Sequence, residues 1–284
     1  MAKNKNIRIY KEATAIVTGG ASGIGKAISQ ELAKRGCEVV LADLQIKTAK
    51  DVATEIRDSG GKARAVKLDV TDFKATENVV REAYERTGRL DYIFNNAGIV
   101  IGGAANHYCI DDWNKIIDVN LRGVINGTQA VYKIMIKNGF GHIVNTASMA
   151  GIMPNPLNVA YGTTKYAVVG LSQSLRIEAA HFGVRVSVIC PGLIRTPIMY
   201  GGKYGAINMN IPTEKLSEMW EKLKPMAPDV FAKKVLNAVA KNKAIIIVPY
   251  FWKILWWLNR LSPVLGRAFA KKHLTKMQKE FDLL

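Results

Sequence analysis

The sequence predicts an α/β protein: a single domain built on one doubly wound parallel sheet of about seven strands, with helices on both faces. Two observations carry that expectation. Short apolar runs alternate with longer runs of helical period, which implies βαβ units rather than hairpins. The first apolar run leads straight into a glycine-rich turn that opens a helix, the context in which such a turn carries meaning. At 284 residues, 49% hydrophobic and 22% charged, the chain has the composition and length to bury a large core.

The first strand is Thr14–Thr18 (T-A-I-V-T). Gly19-Gly20-Ala21-Ser22-Gly23-Ile24-Gly25 comes next, and the helical run Gly23–Arg35 begins inside it. Glycine permits the tight turn and lets backbone approach a diphosphate closely. The helix amino terminus then offers free N–H groups to that anion. The spacing is G-x-x-x-G-x-G, and an ordinary loop is the alternative for this motif alone.

The second strand, Glu38–Ala42, leads to Asp43, 18 residues after Gly25. An acid there accepts hydrogen bonds from adenosine ribose hydroxyls and repels a 2′-phosphate; an exposed turn aspartate is the alternative. No Lys or Arg lies within the glycine turn or directly after Asp43, and Arg35 and Lys47 are less well placed. NAD is therefore favoured over NADP.

The remaining strands are expected at Ala63–Lys67, Tyr92–Asn95, His142–Thr146, Arg185–Ile189 and Ala244–Val248. Helices are expected at Thr48–Asp58, Lys74–Thr87, Asp111–Lys137, Tyr161–Phe182 and Asp229–Lys241. The glycine turn, Asp43, Asn96, Ser148 and Pro191 each come closely after a predicted strand. They should converge at the carboxyl edge of the sheet, where open α/β sheets bind ligands. Tyr161 and Lys165 (Y-G-T-T-K) are four residues apart and share one helix face. A phenol ordinarily loses its proton near pH ~10, and a neighbouring ammonium brings that value down. The pair is an acid–base device for an alcohol or a carbonyl, although a Tyr–Lys pair at this spacing also arises by chance.

Taken together and in order, these residues resemble the short-chain dehydrogenase/reductase family. The resemblance rests on T-G-G-A-S-G-I-G (Thr18–Gly25), Asp43, Asp69-Val70, N-N-A-G (Asn95–Gly98), Asn120, Ser148, Tyr161 with Lys165, and Pro191-Gly192 with Thr196. It spans about Thr14 to Val248, and the interval of 13 residues from Ser148 to Tyr161 is the family's usual one. The resemblance implies a Rossmann-type fold and an NAD(P)-dependent enzyme acting on CH–OH groups. It implies that Tyr161 is the general acid–base and that Lys165 lowers its pKa and binds the nicotinamide ribose. Ser148 would orient the substrate oxygen, and Asn120 would support a water linking the lysine to solvent. The cofactor would lie against Gly19, Ser22, Gly23, Ile24, Gly25, Asp43, Asn96, Ala97, Gly98, Tyr161, Lys165, Pro191 and Gly192. Asp69 would sit near the adenine amino group, Val70 against its ring, and Thr196 at the carboxamide. No metal is expected.

Residues 1–249 read as the catalytic unit, with a substrate-covering segment, 193–228, that lacks strand signals. Gly201–Gly205 (G-G-K-Y-G) and a helical run Thr213–Lys224 lie within that segment. Its apolar members Ile198, Met199, Ile207, Met209, Ile211, Leu216, Met219 and Trp220 favour a greasy substrate, although some would simply pack on the sheet. Residues 250–284 form an aromatic, basic extension. It holds Trp252, Trp256 and Trp257, and Lys253, Arg260, Arg267, Lys271, Lys272, Lys276 and Lys279 outnumber Glu280 and Asp282. Over Phe251–Leu261, Ile254, Leu258, Leu261 and Leu265 fall on one helical stripe. The extension is too interrupted to span a bilayer. It suits a helix lying in a membrane interface, a wall over the active site, or a subunit contact, and all three stay open.

Cys37, Cys109 and Cys190 show no disulfide or metal-ligand spacing, so a reducing compartment is expected. Cys37 and Cys190 fall at or within apolar runs and read as core residues. The start carries no apolar run of signal-peptide length, which fits a cytoplasmic protein, with peripheral membrane contact left open. A formal charge of +17 favours anionic partners. It is spread along the chain without a nucleic-acid motif, which argues against a nucleic-acid-binding function. The best reading is an oxidoreductase moving a hydride between NAD and a hydrophobic secondary alcohol or ketone, lipid-, steroid- or retinoid-like, in lipid metabolism. A 3-oxoacyl thioester reductase is the enzymatic alternative. A nucleotide-sensing or scaffolding protein is the non-enzymatic one. Tyr161, Lys165 and Ser148 together favour the enzyme. The helices Asp111–Lys137 and Tyr161–Phe182 resemble those through which family members pair, so a homodimer or homotetramer is expected.

Overall fold

The computed structural model describes residues 6–208 and 211–281. Met209, expected to line the substrate segment, lies outside the described residues. The chain runs β1 (Thr14–Thr18), α1 (Gly23–Lys34), β2 (Glu38–Asp43), α2 (Ile46–Asp58), β3 (Lys62–Lys67), α3 (Phe73–Thr87), β4 (Tyr92–Asn95), β5 (Val100–Gly103), α4 (Ile110–Ile117) and α5 (Gly123–Asn138). It continues through β6 (Gly141–Thr146), α6 (Val159–Ala180), β7 (Val184–Pro191), β8 (Gly205–Asn208), α7 (Thr213–Lys222), α8 (Pro228–Ala240), β9 (Ile245–Val248), α9 (Tyr250–Leu261) and α10 (Pro263–Phe281).

Successive side chains of a strand point to opposite faces, so a sheet covered on both sides needs apolar residues at every position. The inner strands obey this. In β1, Ala15 and Val17 join one buried cluster and Ile16 the other. In β2, Val39 and Leu41 oppose Val40 and Ala42; in β4, Tyr92 and Phe94 oppose Ile93. The first layer is completed by α1, α2 and α8 through Ile28, Leu32, Ile56, Phe231 and Leu236. The second is completed mainly by α3 and α5 through Val79, Val80, Val131 and Met135.

The seven expected strands form one parallel sheet in the order β3-β2-β1-β4-β6-β7-β9. The winding reverses between β1 and β4, so a crevice opens beyond their carboxyl ends. Asp43 and Pro191, expected just beyond strands, are the last residues of β2 and β7. Cys37 and Cys190 are buried and Cys109 is exposed.

Three expectations are corrected. Segment 193–228 does contain a strand: β8 pairs in parallel with β5, which was also unanticipated. Both are four-residue, glycine-containing runs, V-I-G-G and G-A-I-N, with weak intrinsic strand preference; their mutual pairing creates them. The expected helix Asp111–Lys137 is two α-helices joined by a π-helical turn, Asp118–Arg122. The tail stripe is broken at Ser262, so Leu265 belongs to a second helix, α10, rather than to α9.

Candidate active site

The turn after β1 is shaped by close approach. Gly19 adopts a φ of +64°, and a β-carbon on Gly25 would land on the Gly19 carbonyl oxygen. Ser22 stands at the N-cap of α1, yet makes no side-chain capping bond, and the first turn holds no acid. The N–H groups of that turn have no side-chain acceptor, and they face outward at the positive end of the helix. Asp43 is buried (8% exposed), not an exposed turn residue. Its carboxylate accepts from the Ala21 amide at 2.9 Å and the Gln45 amide at 2.9 Å, locking the glycine turn onto β2. Lys203, from the segment before β8, donates to Gln45 Oε1 at 2.7 Å, bringing a cation to the same rim. Arg35 is turned away, toward Glu31 and Asn237.

Beyond β4, the Asn96 and Ala97 amides both donate to Thr18 Oγ1, at 3.0 and 3.1 Å, and Asn96 Nδ2 donates to the Thr18 carbonyl. Thr18 thereby ties the N-N-A-G segment to the glycine turn. Asp69 accepts from the Thr71 amide and hydroxyl, and the Val70 carbonyl accepts from Asn126 at 2.8 Å. Thr196 is buried, its methyl 3.2 Å from the position a β-carbon would take at Gly23. It closes the far side of the crevice.

Asn120 lies within the π-helical turn and is fully buried. It clamps Ile99 from both sides, accepting from its amide at 2.8 Å and donating to its carbonyl at 2.9 Å, and reaches Thr164 Oγ1 at 3.3 Å. A β-carbon at Gly98 would lie 3.1 Å from Asn120 Oδ1 and 3.5 Å from Lys165 Nζ, so the two side chains meet beneath that glycine. Lys165 is buried; its ammonium donates to the Thr146 carbonyl at 3.0 Å and sits 5.4 Å from the Tyr161 ring centre. Burial pushes the Lys165 ammonium down to about 8. Burial also raises the Tyr161 phenol, opposed by its hydrogen bond with Ser148. The expected lowering by the ammonium is therefore corrected: desolvation dominates, and what opposes it is the Ser148 hydrogen bond rather than Lys165. Ser148 Oγ itself accepts from the Ala150 amide at 3.1 Å, which fixes its rotamer.

The profile of the short chain dehydrogenase family matches residues 13–201. The 2,5-dichloro-2,5-cyclohexadiene-1,4-diol dehydrogenase LinX of Sphingobium indicum is 40% identical over 184 residues, 65% of this chain and 74% of that protein. A short chain dehydrogenase/reductase from Burkholderia phymatum, solved in complex with NAD, superposes with a TM-score of 0.81 at 26% identity, covering 91% of this chain and 96% of that one. Levodione reductase superposes with a TM-score of 0.76 at 27% identity, over 84% and 96% of the two chains. The chain belongs to the short-chain dehydrogenase family.

As a family member it is an oxidoreductase of Rossmann-type fold acting on CH–OH groups. The family match ends at Gly201, and α9, beyond it, adds aromatic cover to the site. Trp252 of α9 packs against Gly192, where a β-carbon would strike the indole. Trp252 and Trp256 pack with Met149, Cys190 and Ile247, with Ile152 and Met153 at the margin. Tyr161 packs, together with Ile99, Tyr108 and Trp113, against the buried cluster of Ile101, Ile116 and Ala160. Sequence reasoning missed the Trp252–Gly192 contact and the Lys203–Gln45 bond, because both join segments with no shared local pattern. A further cleft, about 640 Å³, lies between α10 and α6, lined by Val159, Thr163, Tyr166 and Lys271. Among the described residues no three His, Cys, Asp or Glu side chains gather as a metal site requires.

Proposed function

We propose that this dehydrogenase transfers a hydride between NAD and a hydrophobic secondary alcohol or ketone. One observation carries the reading: a phenol, a serine hydroxyl and a buried ammonium meet beside an apolar cluster that includes Met149, Trp252 and Trp256, next to a glycine cradle with unclaimed N–H groups. The cradle fits a dinucleotide, because the space a β-carbon would fill at Gly25 is closed to any other residue and the α1 terminus suits a diphosphate. Gly19, Ser22, Gly23 and Ile24 would hold that diphosphate and Asp43 the adenosine ribose. Asp69 and Val70 would flank the adenine, and Asn96, Ala97, Gly98, Pro191, Gly192 and Thr196 would line the rest. When bound, the nicotinamide supplies the hydride chemistry.

The chain's own residues manage the proton. Ser148 Oγ orients the substrate oxygen by donating a hydrogen bond to it. Tyr161 Oη takes the hydroxyl proton of an alcohol, or gives one to a carbonyl oxygen. Lys165, next to the ring, reaches the nicotinamide ribose. Asn120, fixed to Ile99 and Thr164, holds the polar floor that links Lys165 to solvent. Trp252, Trp256, Met149 and Met153 on one side, with Tyr108 and Trp113 on the other, exclude water and favour an apolar substrate. The dehydrogenase named for a cyclohexadiene-diol is consistent with a secondary alcohol on an apolar ring. Residues 1–249 form the catalytic unit, and α9 of the extension covers its site at Gly192. The enzyme pairs into a dimer or tetramer through α5 and α6.

A panel of sterols, retinoids, long-chain secondary alcohols and 3-hydroxyacyl thioesters, followed by NADH and NADPH absorbance, tests the substrate class. Turnover restricted to the thioesters would replace the reading by the reductase alternative. Tyr161→Phe should lower turnover of any substrate found by about 10²-fold or more, with NADH affinity nearly unchanged by fluorescence titration. Lys165→Ala should weaken both. Substantial turnover by Tyr161→Phe would overturn the proton-transfer role.

A further inference from the structure

We propose that the outer face of the α9–α10 helix pair docks on an anionic lipid bilayer. One side of α9 is spent on the enzyme, with Trp252 and Trp256 facing inward. The opposite side carries Ile254, Trp257, Leu258 and Leu261, and α10 adds Leu265 and Phe269, all exposed. Leu261 is 78% and Leu265 69% exposed, values that put nearly whole leucine side chains in water. So many large apolar groups on adjoining helices make a patch of the kind that marks an interaction surface.

Charge identifies the occupant. No Asp or Glu occurs between Pro249 and Lys279. Lys272 shares the side of α10 that carries Leu265 and Phe269, while Arg260 lies over the Trp256 ring and Arg267 and Lys271 line the cleft toward α6, so the cations border the apolar face; all four are exposed, and among the described residues none has a carboxylate partner. A second copy of this chain would bring the same cations against themselves, on a molecule that already carries +17. An anionic bilayer instead offers hydrocarbon for the leucines and headgroup phosphates for the cations. No described helix is long and apolar enough to cross a membrane, so the pair lies along the surface as amphipathic interfacial helices do. Tryptophan belongs at that depth. Because the inner side of α9 packs over Gly192 at the catalytic site, docking sets that site beside the lipid. That placement rests on the proposed dehydrogenase function; the docking itself does not.

Co-sedimentation of the full chain with vesicles, without substrate or cofactor, tests docking independently of catalysis. Phosphatidylglycerol/phosphatidylcholine vesicles should pellet the protein at low salt, pure phosphatidylcholine much less, and added salt should release it. Each cation near anionic lipid multiplies binding by about fivefold. Lys272→Glu, on the side of α10 that carries Leu265 and Phe269, should therefore lower it by about 5–30-fold. Leu258→Glu with Leu261→Glu should abolish pelleting while circular dichroism and the melting transition stay at parental values, because both side chains already face water. Failure of the parent to pellet with anionic vesicles at low salt overturns the proposal. So does undiminished binding by the double-leucine variant. If that variant instead changes the oligomeric state by light scattering while vesicle binding is absent, the face is a subunit contact and the lipid assignment is wrong.

Discussion

At Asp43, one carboxylate serves both the fold and cofactor choice. It accepts from the Ala21 and Gln45 amides, so Asp43→Ala leaves the buried Ala21 donor unpaired at about 1–3 kcal/mol and the half-buried Gln45 donor unpaired at less. Asp43→Asn removes the charge and keeps only one of the two accepting oxygens, so it costs one of these bonds rather than both and is the milder probe of the ribose site. The parent should bind NAD more tightly than NADP, and Asp43→Asn should narrow the ratio by about tenfold, the size of a Coulomb repulsion of ~1.4 kcal/mol. Lys203 sits on the other side of that balance through Gln45, and Lys203→Ala should widen the ratio. Calorimetric titration of each cofactor decides the point; equal or tighter NADP binding by the parent would sink the NAD assignment. Asp43 was legible in the sequence because it ends an apolar strand at a fixed distance from a glycine turn. Lys203 was not, because nothing local to G-G-K-Y-G points toward residue 45. The direction of the Tyr161 shift was also illegible: a pair of residue types shows their mutual charge effect but not how deeply the fold buries them.

Whole elements were read from the sequence wherever periodicity had length to act. The inner strands of the main sheet are continuous apolar runs, because each must satisfy two cores at once. The π-helical turn escaped, since it inserts a register change without altering the apolar pattern of the helices on either side, and it carries the site residue Asn120. The pairing of β6 with β7 yields a prediction of its own. His142 on β6 is fully buried, with Nε2 2.8 Å from Ser187 Oγ on β7. Burial, with Arg185 and Arg176 adding repulsion, pushes its imidazolium down to about 3. The unfolded chain titrates this group near about 6.5, so the unfolded state binds more protons between those values. Stability is therefore full above about pH 6.5 and drains away as pH falls toward 3. His142→Gln removes that proton uptake. Denaturant midpoints measured against pH should show the parent losing ground to the variant as pH drops through this window; parallel curves would mean His142 is not held neutral.

Among the described residues, the tail pair and the α5–α6 pair both present exposed apolar side chains, and they differ in charge. The tail face is acid-free and basic. The faces of α5 and α6 expose Ile125, Tyr166 and Ile177, with Ile177 74% accessible; α5 carries exposed Lys133 and Lys137 without an acid, and α6 adds Glu178. A self-complementary contact about a two-fold axis requires a surface that does not repel its own copy; Glu178 on α6 gives Lys133 and Lys137 of α5 an acid to meet, where the outer tail face has none. Leu274 and Lys271 of α10 border the same end of α6 near Tyr166, so an assembly built on α5 and α6 would set the tails beside the interface rather than inside it, leaving their leucines free for lipid. Light scattering at micromolar concentration should return a dimer or tetramer. Ile177→Glu with Tyr166→Glu should shift it toward monomer by burying carboxylates without partners, while Leu258→Glu with Leu261→Glu should leave the assembly intact. A monomeric parent would remove α5 and α6 as the subunit contact, and dissociation by the tail variant would move that contact onto the extension.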